Sequence, residues 1–124
     1  MNSAKHHEIA CNIERSLAKC GPEDVEMRIE AAMLAATHWL NAALHDIGAN
    51  PPDKDVMHTY MLTINDFRRL SLPDPRLLAM LAEIEDIRPL YVRGDAPGGR
   101  EAADRACGLL DRIREMALRA SAAR

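Results

Sequence analysis

His38, Asn41 and His45 stand at i, i+3 and i+7, a spacing that brings two imidazoles and a carboxamide onto one face of a helix. A neutral imidazole offers a ligand nitrogen and a protonated ring offers two donors, so such a face can bind a metal, a phosphate or a base. Thr37 lies beside the row. If the helix that carries it turns back on the next through a short connector, His45 and His58 lie at comparable distances from that connector and face one groove. The candidate ligand-binding set is therefore His38, Asn41, His45 and His58. The competing reading gives the same residues a structural part, as polar groups that hydrogen-bond across a helical bundle or line its solvated stripe.

Other chemistry finds less support. His7 and Cys11 share a helix face at i, i+4, and His6 approaches Cys20 in some arrangements, but two ligands on one turn are half a site. No Glu-x-x-His occurs, as a di-iron bundle requires. No metal site and no cofactor is assigned. A Gly-x-Ser-x-Gly turn is absent, and Cys107, set among Ala106, Leu109 and Leu110, reads as core packing, so no catalytic residue is assigned either. Gly94, Gly98 and Gly99 do not form a phosphate loop. Arg68, Arg69, Arg76, Arg88, Arg93 and Arg100 are interleaved with Asp66, Asp74, Glu83, Glu85 and Asp86, a pattern of ion pairs rather than a phosphate-binding rim.

The elements that must carry these residues are helices. Pro22 can open and Gly48 can close one helix with no proline or glycine between them, a span of roughly 39 Å at the α-helical rise. Its apolar positions Val25, Ile29, Ala32, Ala36, Leu40, Ala43 and Ile47 form one stripe, widened by Met27 and Leu34, so two neighbours can pack on it. Ser3 can cap a first helix over 4–19. After the Gly48–Pro52 connector, Asp53 or Asp55 can cap a third over 54–70, with Met57, Tyr60, Met61, Ile64 and Phe67 turned toward the second. Asp74 and Pro75 open a fourth over 75–88, residues 90–99 read as an irregular loop, and a fifth helix covers 100–120.

The predicted fold is an all-α, single-domain antiparallel helical bundle of four to five helices. With 124 residues, 48% hydrophobic but 3% aromatic, the chain fills one core with Leu, Ile, Met and Ala, which suits close helix packing. A net charge of −3 leaves a nucleic-acid partner unsupported, since no overall attraction to phosphate exists. The three cysteines form no C-x-x-C pair and no closed disulfide framework, no secretory pattern is visible, and no apolar run spans a bilayer. These features predict a cytoplasmic protein without a membrane partner.

The segment Ile29–His45, followed by Pro51-Pro52 and by Arg88-Pro89-Leu90-Tyr91-Val92-Arg93-Gly94, resembles a HEPN-type helical bundle. The likeness covers roughly residues 22–120 and rests on helix order and the character of the second helix. Many members of that family pair as dimers, and some cleave RNA through an Arg followed by a His four to six residues later. That motif is absent here, and the gap from Arg28 to His38 is too long. The resemblance therefore implies a non-catalytic member. The preferred reading is a binding module rather than an enzyme, acting as a homodimer and binding a partner protein or a nucleotide. The alternatives are a metal-binding protein that uses His38, His45 and His58 in one groove, and a divergent ribonuclease in which Asn41, His45 and Arg28 or Arg69 contribute to a shared cleft.

Overall fold

Alanine decides where the longest element sits. In the computed structural model, which describes residues 1–124, Ala32, Ala35, Ala36, Ala42 and Ala43 of helix α2 (Val25–Ile47) have no exposed surface. Their small side chains let neighbouring backbones approach from several sides. Six consecutive residues, Trp39 to Leu44, are buried, so this stretch of α2 is covered all round. It packs against α1 (Ser3–Leu17), α4 (Pro75–Arg88) and α5 (Gly99–Ala122), with the short α3 (Ile64–Ser71) against α4. The chain is an all-α bundle, 74% helical, with five helices and no strand. A single cluster of 22 buried residues forms its core.

Paired contacts give the helix directions. Ser3 of α1 reaches Asp46 at the end of α2, and Glu14 reaches Trp39, so α1 runs antiparallel to α2. Arg88 at the end of α4 pairs with Glu30 near the start of α2, which makes α4 antiparallel as well. Arg28 meets Asp104 at 2.5 Å and Asp46 meets Arg124 at 2.9 Å, so α5 runs parallel to α2 and antiparallel to α4. At the shared start of α2 and α5, a Cβ on Gly99 would stand 3.1 Å from Val25 Cγ1, a close approach that favours glycine there.

The helix ends match expectation where local chemistry decides them. Gly48 is left-handed at φ 84°, and Asp74 caps α4 by accepting from the Arg76 N–H at 3.0 Å, ahead of Pro75. Elsewhere they differ. Asn2 rather than Ser3 caps α1, because Ser3 is engaged with Asp46, and α1 ends at Leu17. Helix α2 begins at Val25 rather than Pro22, since Asp24 turns back to accept from the Gly21 N–H at 2.7 Å and holds residues 21–24 as a turn.

The third helix needs the largest correction. The expected helix over 54–70 is helical only from Ile64 to Ser71; ahead of it lies extended chain with one 3-10 turn, Thr59–Met61. Side chains from the bundle take the backbone groups a helix would have used. Asn41 bonds both N–H and C=O of Val56, and Glu85 accepts from the Thr59 N–H. Val56 and Thr59 are buried, whereas Met57, Tyr60, Met61 and Ile64, expected to face α2, are 66–71% exposed. The segment expected as a loop at 90–99 opens instead with a π-helical turn, Pro89–Arg93, closed by the Gly94 N–H on Pro89 O at 3.1 Å. No helix is long and apolar enough to cross a membrane.

Candidate metal centre

Three segments converge on the Asp55 carboxylate. His6 belongs to the stripe His6, Ala10, Ile13 and Leu17, by which α1 packs on α2, and its ring is 2% exposed. His45 lies in the last turn of α2, also with a side chain 2% exposed. Asp55 is delivered by the extended segment, which the Asn41 bonds to Val56 anchor to α2. His6 Nε2 stands 2.9 Å and His45 Nε2 2.8 Å from the same oxygen, Asp55 Oδ1, while the amino group of Met1 approaches Oδ2 at 3.1 Å. The ligand atoms of His6, His45 and Asp55 all lie within 4.8 Å of one another.

Each ring has a second contact. His45 Nδ1 faces the carbonyl oxygen of Asn50 at 2.8 Å, and His6 Nδ1 faces His38 Nδ1 at 2.9 Å. The ring centroid of His6 is 5.2 Å from that of His38 and 5.4 Å from that of His45. Burial pushes His6 below its ordinary value of 6.5 despite the Asp55 hydrogen bond. Burial, and then the adjacent His6, does the same to His38. Burial on its own would raise Asp55, but the hydrogen bonds from His6, His45 and the amino terminus together outweigh it and hold the carboxyl at about 2. The site thus presents an ionised carboxylate to a His6 ring whose neutral form burial favours, the protonation states that a metal requires of these two ligands.

The donor count at His45 is decisive. A carbonyl oxygen and an ionised carboxylate oxygen only accept, and His45 sets one ring nitrogen against each. Two N–H groups satisfy that arrangement, and so does a cation in place of one proton. In the second case Nδ1–H remains on Asn50 O, the outer contact that fixes the ring of a metal-bound histidine.

Of the residues singled out from the sequence, His38 and His45 both lie beside His6, while His38, Asn41 and His58 border one cavity from which His45 is absent. Asn41 is no ligand: its carboxamide is spent on Val56 N–H, Val56 O and Thr37 O, and it is 1% exposed. His45, its side chain 2% exposed, closes one end of the groove expected along the α2 face. An opening remains beside His38 and Asn41, a cavity of about 320 Å³ bordered also by His6, Asp55 and His58. His58 bonds Glu85 through Nδ1 at 2.9 Å rather than joining His45. His7 sits edge-on to Trp39 at 4.8 Å and Cys11 is exposed, so that pair makes no site.

Sequence reasoning missed His6, Asp55 and Glu85. A signal for His6 existed, because it shares the spacing of the apolar stripe of α1; Asp55 was read as a helix cap. Comparison with protein-family models, curated proteins and solved structures finds no match to this chain.

Proposed function

We propose that this bundle binds a divalent transition-metal ion through His6 Nε2, His45 Nε2 and a carboxylate oxygen of Asp55. Two imidazoles and one carboxylate suit zinc and its first-row neighbours, and three protein ligands leave a coordination position open, as in catalytic rather than structural sites. The observation that carries the reading is His45, whose two nitrogens both face acceptors. Titration of the metal-free full chain with zinc at neutral pH tests it by calorimetry. One ion per chain is expected, with affinity lowered about 100-fold or more in His45→Ala, since one of three ligands is gone. No uptake, or equal uptake by the variant, leaves His45 as an imidazolium locked between two acceptors and removes the proposal.

Self-association, which the likeness to HEPN-type bundles implies, is proposed on a separate observation. Met57, Tyr60, Met61 and Ile64 expose large apolar side chains within eight residues, beside Leu34 at 47% exposure. Burying them against a second copy would remove them from water. Light scattering at micromolar concentration should report a dimer that Met61→Asp separates, and a monomeric wild type removes this reading.

A further inference from the structure

Glu85 of α4 is sealed in the bundle, its side chain 3% exposed, with three donors directed at it. These are the Thr59 N–H at 3.1 Å, the Thr59 hydroxyl, and His58 Nδ1 at 2.9 Å. A carboxylate accepts, so this contact fixes the proton of a neutral His58 on Nδ1 and leaves the lone pair on Nε2. The ring is held in a second way, stacked on Tyr60 at 4.7 Å with 13° between the planes. His58 Nε2 makes no bond within the protein, and His58 borders the same cavity as His6, His38 and Asp55. An oriented imidazole thus borders a small chamber together with two of the three candidate metal ligands, His6 and Asp55.

We infer that His58 is the general base of a metal-assisted hydrolysis, with a small uncharged acyl compound as substrate and Glu85 as its positioning residue. The inference rests on the metal-binding reading above. The cavity argues for the substrate class: Met33, Leu34, Val56 and Met57 supply apolar wall, the one cationic group among its lining residues, the Met1 ammonium, is paired with Asp55, and about 320 Å³ admits only a small molecule. In the reaction His58 Nε2 takes a proton from water, and the water oxygen forms a bond to the acyl carbon; an ion held by His6, His45 and Asp55 would supply Lewis-acid polarisation of the carbonyl. The bond from that carbon to the leaving oxygen or nitrogen breaks with its electron pair. The departing alcohol or amine then takes the proton from His58, so acid and alcohol or amine are formed and the base is restored.

Hydrolysis of p-nitrophenyl acetate by the zinc-loaded full chain tests this. His58→Gln keeps an N–H for Glu85 but has no basic nitrogen, so zinc uptake and circular dichroism should persist while kcat falls about 100-fold. The limb of the kcat pH profile due to an imidazole base should vanish with it. Glu85→Gln should lower kcat more than it changes KM and shift that limb, which a merely structural contact would not do. If wild type takes up zinc but shows no zinc-dependent hydrolysis, or His58→Gln hydrolyses as fast as wild type, the inference is overturned and the pair is a latch for residues 53–63. If wild type takes up no zinc, the metal reading and this one fall together.

Discussion

Asn41 shows how one side chain can build a site without entering it. Its carboxamide oxygen accepts from Val56 N–H at 2.7 Å, and its amide donates to Val56 O at 2.8 Å and to Thr37 O at 2.9 Å. Both Val56 backbone groups are thereby satisfied away from water, and the neighbouring Asp55 is held between His6 and His45. Truncation to alanine leaves two buried backbone groups without partners, each costing its desolvation, for a combined loss of roughly 2–6 kcal/mol. Urea unfolding of Asn41→Ala should report a loss in that range, with weaker zinc affinity because Asp55 is no longer held. A loss below about 1 kcal/mol, less than one buried orphan costs, with unchanged zinc affinity, would show that the extended segment is held in place by other contacts.

Elements whose limits are set by their own residues were legible. Helices α2, α4 and α5 follow from an apolar pattern of helical period and from local stops and starts, Gly48 at the end of α2 and Asp74 with Pro75 at the start of α4. The pattern at Met57, Tyr60, Met61 and Ile64 has the same period, yet periodicity records which side chains share a face and not whether that face is covered. Here it is uncovered, and the backbone at Val56 and Thr59 is satisfied by Asn41 and Glu85, 15 and 26 residues away in the chain. The candidate site divides in the same way. His38 and His45 were legible as one helix face. The part of Asp55 was not, because its partners lie 49 residues before it in α1 and 10 residues before it in α2, separations that no local pattern encodes.

At the scale of the whole molecule, the candidate site joins segments that the bundle otherwise holds by packing and a few hydrogen bonds, Ser3 to Asp46, Trp39 to Glu14 and Asn41 to Val56. Helix α1, the end of α2 and the extended segment after it meet at Asp55, and an ion bound there would tie all three together. In the unfolded chain these ligands are dispersed, so the ion binds the folded state in preference and stabilises it by mass action. At free zinc one hundred times its dissociation constant, that stabilisation is about 2.7 kcal/mol. A domain of 124 residues has an unfolding entropy near 0.26 kcal/mol/K, about 2.1 cal/mol/K per residue, so the thermal midpoint should rise by about 10 °C. Scanning calorimetry with and without zinc measures this directly. The rise should shrink to about 2 °C or less in His45→Ala and in His6→Ala, which lie on different helices, because a site about 100-fold weaker is at most half filled at that zinc concentration, and it should persist in His58→Gln, which leaves all three ligands intact. An equal rise in all four proteins would mean that zinc is held elsewhere, and the convergence on Asp55 would then be a hydrogen-bonded clasp between helices.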